Sequence, residues 1–348
     1  MVEARLSAND LDTALREANV KPLWVHYRTL ASRQPDRMEP PMHWPWGAMR
    51  HAIDRALSDV KMEDAERRVL VMSNPAFEPK IQTTGNLIGA LQLLRPGDAA
   101  HEHRHSQAAL RMILDAEGGY TSVDGQQYEM HHGDLILTPA WTWHGHKNTT
   151  NYRVIWFDGL DVPFVGGVLD SGFFEPHPPE NFEEVADALA ERWRWSEHGL
   201  ADARQGVQTA SHSPRIHYPW STTQATLDKL PPDERGHVLM RYVHTQTGGA
   251  IMPTLDCYMF RMRGNIFSIA KRSTSNAICV VLDGNGVSHV GDQTIKWGKN
   301  DIFTIPHWTF ASHQSHSLQS HIFIMTDAEI FRRLGLYRED IKVENSID

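Results

Sequence analysis

The sequence predicts a mainly β protein, built from two related antiparallel barrels and preceded by a helical arm. Three observations carry this. From Val69 onward, short runs rich in β-branched and aromatic residues are broken by turn signals such as Arg95-Pro96-Gly97-Asp98 and Val123-Asp124-Gly125. Strands at such spacing suggest an antiparallel sandwich or barrel. A second strand-rich stretch runs from about Arg241 to Ile324, after a charged, helix-like interval. The two stretches also match each other. Gly133-Asp134 followed by Pro139-Ala140-Trp141 lies over Asn300-Asp301 followed by Pro306-His307-Trp308, and Asp115 to Gly118 lies over Asp283 to Gly286. Matching turns and Pro-x-Trp units in the same order favour internal duplication over chance likeness of two hairpins.

The elements follow in order. Ser7 can cap a first helix through Leu11, Ala14 and Leu15, with Asp10 three residues on, and Pro22 restarts the chain. Pro35 to Gly47 is too rich in proline for regular helix or central strand, and a second amphipathic helix is expected over Ala48 to Val60. Trp24, Trp44 and Trp46 suggest an arm that packs on another subunit or on its own barrel. The expected organisation is a helical arm over 1–68, a first barrel over 69–178, a linker with a helix near Glu183 to Glu197 over 179–238, and a second barrel over 239–348. A short helix over Asp327 to Leu336 closes the chain.

Composition excludes several classes. The 348 residues are 41% hydrophobic and 22% charged, ordinary for a globular protein with a real core. Apolar runs fall short of the roughly 20 residues of a membrane helix, and Met1 to Thr13 lacks a secretory core, so a soluble, cytoplasmic protein is expected. Two cysteines, Cys257 and Cys279, exclude a disulfide scaffold and a cysteine-built zinc site. A net charge of −9 without a long basic run argues against nucleic acid as a partner.

The functional signal is histidine. Of the 21 in the chain, His101, His103, His105, His131, His132, His144 and His146 fall in one short stretch. On a strand, His101, His103 and His105 share a face, and two imidazoles one pleat apart can share a metal. The outer two lie too far apart, so one adjacent pair serves and the third ligand comes from a neighbouring strand. His144 and His146 again share a face. Three neutral imidazoles with open positions make a catalytic type of site, for which zinc and iron are both suitable. His131 and His132, beside Gly133, are expected to be solvated.

His101 to Gly118, then Gly133-Asp134, Pro139 and His144, resemble the two consensus motifs of the cupin superfamily. More narrowly, His103-Arg104-His105 through Arg111, Thr138-Pro139 through His146, and Trp156 through Asp161 resemble the gentisate 1,2-dioxygenase family, with its salicylate and 1-hydroxy-2-naphthoate dioxygenases. The resemblance implies a bicupin, two jelly-roll barrels. It places the metal ligands on His103, His105 and His144, holding Fe(II), one per chain. It places substrate contacts on Arg111 and His146, which would also be catalytic, and further pocket residues on Arg67, Gln92 and Asp158, with Asp158 orienting His146. Ile88 and Ala90 line the same segment, and Ile88 stands where an aromatic residue is expected. In the second half, Lys271, Ser273 and Ala311 replace the ligands and only His313 is kept, so that half should hold no metal.

The implied partners are a small aromatic carboxylate with an ortho hydroxyl, and O2, in a homotetramer, with a dimer as the alternative. The implied reaction opens the gentisate ring between its carboxyl- and hydroxyl-bearing carbons. Alternatives are the same chemistry on 5-nitro- or 5-halosalicylate or on 1-hydroxy-2-naphthoate, another cupin enzyme such as a decarboxylase or isomerase, or a non-catalytic bicupin.

Overall fold

The computed structural model describes residues 8–30, 32–35, 39–65, 67–176 and 212–342. The expected cap at Ser7 and linker helix at 183–197 lie outside the described residues. Residues before 37 form a unit of their own. It holds the helices Ala8–Glu17 and Leu23–Leu30, whose Leu23, Trp24, Val25 and Leu30 are exposed.

The larger unit is two barrels of antiparallel strands, each made of a six-stranded and a five-stranded sheet. In the first half, the six-stranded sheet runs His217–Tyr218, Leu135–Thr138, Ala109–Asp115, Val154–Leu160, Ile88–Leu94, Val69–Val71. The five-stranded sheet runs Phe174–Glu175, Ala99–His105, His144–Lys147, Glu117–Val123, Gln126–His131. The second half repeats this order. Its six-stranded sheet centres on Ala277–Asp283, Gln319–Thr326 and Asp256–Arg263, and its five-stranded sheet on Gly286–Val290 and Ala311–Ser315.

Strand alternation sorts the core into three parts. Leu91, Leu93, Leu110, Met112 and Phe157 point out of the first barrel and pack with Ile278, Phe323 and Met325 of the second, so the six-stranded sheets lie face to face. Burying each of these side chains contributes about 1.5–3 kcal/mol. The approach is close: a Cβ on Gly159 would stand 2.1 Å from Met325 Sδ. The opposite parity fills the barrels. Leu94, Ile113, Ile136 and Trp156 line the first, and Met262, Val281, Phe303 and Ile322 the second.

The duplication extends into the arms. His43-Trp44-Pro45-Trp46 and His217-Tyr218-Pro219-Trp220 each form a short strand, then a helix that begins after the proline, at Trp46–Asp59 and Trp220–Lys229. Proline suits a helix start because its missing N–H is unneeded there. The pairings are exchanged. His43–Trp44 adds to the second barrel beside Ile302–Ile305, and His217–Tyr218 adds to the first beside Leu135–Thr138. The histidines cap equivalent turns, with His43 Nε2 3.0 Å from Asp301 and His217 Nε2 2.9 Å from Asp134. Trp44 and Trp46 pack on the core between the barrels. The helix expected from Ala48 thus starts two residues earlier, and the last helix is shorter than expected, Ala328–Arg333.

Candidate active site

Strand Ala99–His105 pairs with His144–Lys147 through Ala100↔His146 and His103↔His144. Three steps on one strand against two on the other mean a β-bulge. The bulge breaks the parity that sequence alternation assigns to His101, and His101 is exposed while His103 is buried. Gly145 lies opposite the bulge, where a Cβ would meet Glu102 Cγ at 2.8 Å and Ala100 O at 3.1 Å. After His105 the chain turns, and Trp141 reaches back with its N–H to the His105 carbonyl at 2.7 Å. Trp141 does so from a left-handed conformation, φ 66°, and Trp308 repeats the arrangement on Ser273 at φ 56°.

One nitrogen each of His103, His105 and His144 gathers within 4.8 Å of the others. The three rings are fixed the same way. His103 Nδ1 donates to His101 O at 3.2 Å, His105 Nδ1 to Gln107 O at 2.8 Å and His144 Nδ1 to Thr142 O at 2.9 Å. A carbonyl only accepts, so each Nδ1 carries the proton and each Nε2 presents a lone pair. His144 Nε2 is buried with no hydrogen-bond partner among the described residues. Three converging lone pairs, one of them orphaned in the interior, fit a metal ion, with the backbone carbonyls as the outer partners that orient the ligands. Burial, followed by the positive Arg67, pushes His103 down to about 3, and burial pushes His105 down to about 4. The imidazoles are therefore neutral, as ligands must be.

His146 is held differently. Its Nδ1 lies 2.9 Å from the Thr121 hydroxyl, whose other neighbour is the Met130 thioether at 3.5 Å. A hydroxyl gives its proton to an imidazole nitrogen in preference to a thioether, so the network assigns the His146 proton to Nε2. That Nε2 is buried and without a partner among the described residues, a donor next to three acceptors. Sequence pattern groups His146 with His144; the structure separates them by position, since His146 is not among the converging nitrogens, and by the partner on Nδ1.

Arg111 and Asp158 face each other across paired strands, Nε to Oδ1 3.2 Å, and both are nearly fully buried. Arg111 also donates to Thr138 Oγ1 at 3.0 Å. Asp158 therefore sets Arg111, and the expectation that it orients His146 is corrected: Thr121 does so. Burial raises the Asp158 carboxyl, opposed by the Arg111 guanidinium. Gln92 is buried and shares with Leu94 the parity that faces the barrel interior, as do Ala90 and Ile88. Arg67 lies over the Phe174 ring, 5.4 Å from its centroid, and Phe174 lies 5.5 Å from the His103 ring. His131 is exposed, but His132 is half-buried, with Nδ1 2.8 Å from Leu114 O, so it is not simply solvated.

Sequence reasoning gave no role to Thr121, Thr138, Phe174 or Asp161, although Thr138 and Asp161 stand in the motifs that carry the resemblance. Asp161 accepts from Ala108 N at 2.9 Å and from Thr254 of the second half, fixing the strand that follows His105. Thr121 carried at most the signal of one of two adjacent small polar residues, Thr121-Ser122, in the strand Glu117–Val123. Phe174 carried none.

A β-barrel with three imidazoles converging inside it, fused to a second barrel that lacks them, is the architecture of a bicupin with a metal-type site in its first half. Residues 90–162 match the cupin domain model. The chain is 33% identical to a gentisate 1,2-dioxygenase from Streptomyces sp over 341 residues, covering 95% of this chain and 94% of the relative. It is 32% identical to a 5-aminosalicylate 1,2-dioxygenase from Comamonas sp, covering 95% and 90%. The salicylate 1,2-dioxygenase of Pseudoaminobacter salicylatoxidans, solved as adducts with gentisate, superposes with TM-score 0.83 at 29% identity over 99% of this chain and 96% of that one. The chain belongs to the gentisate and salicylate 1,2-dioxygenase family of ring-cleaving dioxygenases.

Proposed function

We propose that this protein is an Fe(II)-dependent dioxygenase that opens the gentisate ring between the carboxyl- and hydroxyl-bearing carbons, with one iron per chain on His103, His105 and His144. The observation that carries the proposal is the division of tautomers: three imidazoles offering lone pairs to one point, and His146 offering a proton beside them. Iron held by these three imidazoles would supply Lewis acidity toward a carboxylate and its ortho hydroxyl, and open positions for O2. The chain's own residues do the rest. Arg111, held by Asp158 and Thr138, offers its remaining N–H groups to the substrate carboxylate. Arg67, over Phe174, adds positive charge at the same site. His146 Nε2 donates to a ring oxygen and stabilises or relays a proton there. Gln92 orients polar edges, and Ile88 and Ala90 provide the apolar wall.

The Comamonas relative, nearly as similar as the gentisate enzyme, supports a second substrate reading, a salicylate substituted at position 5. The aliphatic Ile88 favours it too, by leaving room beside the ring. A homotetramer in the cytoplasm completes the proposal, with light scattering as its check; among the described residues no helix is long and apolar enough to cross a membrane.

The test is oxygen uptake by iron-loaded protein with gentisate, salicylate and 5-substituted salicylates in parallel. One O2 per gentisate without added reductant supports the first reading, and uptake only with a substituted salicylate the second. His103→Ala should lose both metal and activity, whereas Arg111→Ala should keep metal and lose turnover. Full metal occupancy in His103→Ala would sink the ligand assignment.

A further inference from the structure

The second barrel repeats the geometry of the first with different chemistry. Cross-strand register identifies the equivalent positions. Lys271 pairs with Ala311 as His103 pairs with His144. Phe260 faces Ile322 as Gln92 faces Trp156, and Cys279 faces Ile324 as Arg111 faces Asp158. Arg67 precedes the strand residue opposite Gln92 by two positions, and His237 stands in the same relation to Phe260. The charged pair and the ligands have thus become Cys279, Ile324, Lys271 and Ala311, and the space has not been filled. A cavity of about 680 Å³ remains, lined by Phe260, Ile305, Ala311, Ile324, His237 and His313 among others. That volume lies within the range of about 300–1,000 Å³ typical of small-molecule sites.

Two donors are fixed in this apolar cavity. His237 is 1% exposed and its Nδ1 accepts from Arg263 N at 3.1 Å, so its proton is on Nε2, which has no partner among the described residues. His313 is buried, with Nδ1 2.7 Å from Ser288 Oγ, and Ser288 already accepts from Trp297 Nε1 at 2.8 Å. His313 Nδ1 is the one acceptor within reach of the Ser288 hydroxyl among the described residues, so the Ser288 proton goes to Nδ1 and leaves a proton on His313 Nε2. A buried, unpartnered N–H such as that of His237 costs about 1–3 kcal/mol unless an acceptor arrives. Five charged side chains line the cavity, but Lys271 is paired with Glu339, Arg272 with Asp340 and Arg332 with Asp256, so the free donors toward a ligand are the two histidines. Asp233 is exposed and accepts from the backbone N–H groups of Arg235 and His237.

We propose that the second barrel is a non-catalytic binding site for an aromatic monocarboxylate, with the ring among Phe260, Ile305 and Ile324 and a carboxylate oxygen on the Nε2–H groups of His237 and His313. The site needs no metal, and stands whether or not the first barrel cleaves gentisate.

The probe is radiolabelled benzoate, which lacks the ortho hydroxyl needed to chelate a metal, in equilibrium dialysis with the full chain. In a His144→Ala background, one benzoate per chain should remain bound with less than a threefold change in Kd. Ala311→Phe places bulk where the first barrel carries His144, so the backbone can accommodate it, and it should weaken binding at least tenfold. His237→Phe should do likewise. Made in the chain that keeps His144, both variants should retain wild-type circular dichroism and first-barrel metal content. No saturable benzoate binding at 10 mM in the His144→Ala background overturns the proposal. So does binding indifferent to both Ala311→Phe and His237→Phe in correctly folded protein.

Discussion

Replacing Asp158 with asparagine keeps the side chain's shape and removes its charge, which leaves Arg111 as an uncompensated buried cation. The two side chains are 3% and 8% exposed and 3.2 Å apart. At that separation and an effective dielectric of about 20, the attraction lost is about 5 kcal/mol. Removing one partner of a buried pair typically costs about 3–5 kcal/mol. Arg111 Nε and Asp158 Oδ1 make no hydrogen bond in this geometry, but the new amide oxygen can accept one after a small adjustment, which returns about 1 kcal/mol. A loss of about 3–4 kcal/mol is therefore expected. A melting entropy of about 2.1 cal/mol/K per residue makes that a fall of roughly 4–6 °C in Tm for a chain of this length. The assay is urea denaturation of metal-free protein, comparing wild type, Asp158→Asn, and the double variant Asp158→Asn with Arg111→Met. The double variant should recover most of the loss, because the stranded cation is gone. A loss below about 1 kcal/mol in Asp158→Asn, or no recovery in the double variant, would show that the pair is not what holds Arg111.

Three further outcomes are expected. His146→Asn should retain metal at the wild-type level while kcat falls by about 10²–10⁴, the usual range for losing a positioned proton donor; metal loss instead would make His146 a ligand. Gly145→Val should push apart the bulge opposite it, costing about 1–3 kcal/mol and lowering metal content, both read from purified protein; an unchanged metal stoichiometry would detach the bulge from ligand placement. Glu39 is pushed up to about 8 by burial, with the neighbouring Asp327 carboxylate adding to the rise. Its folded pKa exceeds its unfolded value, so the folded state holds the extra proton. That contribution is complete below about pH 4.5 and disappears as pH rises through about 8. Stability should therefore decline from pH 5 to pH 8 by an amount on the order of 2–5 kcal/mol, and Glu39→Gln should flatten the decline. Parallel urea midpoints for the two proteins would contradict this.

The sequence by itself determined the class of fold, the duplication and the site's composition. Strand alternation and turn residues are local, so the spacing of Gly133, Pro139 and Trp141 against Asn300, Pro306 and Trp308 is legible without coordinates. The histidine cluster is legible for the same reason, since residues two apart on a strand must share a face. The tertiary structure decided the rest. Exclusion of His101 depends on a bulge, which is a property of two strands and not of one. The separation of His144 from His146 depends on which nitrogens converge and on what each Nδ1 meets, a carbonyl for one and the Thr121 hydroxyl for the other. Asp158 finds Arg111 because strand register sets them opposite, and nothing in the linear spacing measures that register. The exchange of the two His-x-Pro-Trp arms between barrels, and the cavity left where the second barrel lost its ligands, arise only when distant segments pack. Periodicity along the chain records which face a residue takes; only packing determines what waits on that face.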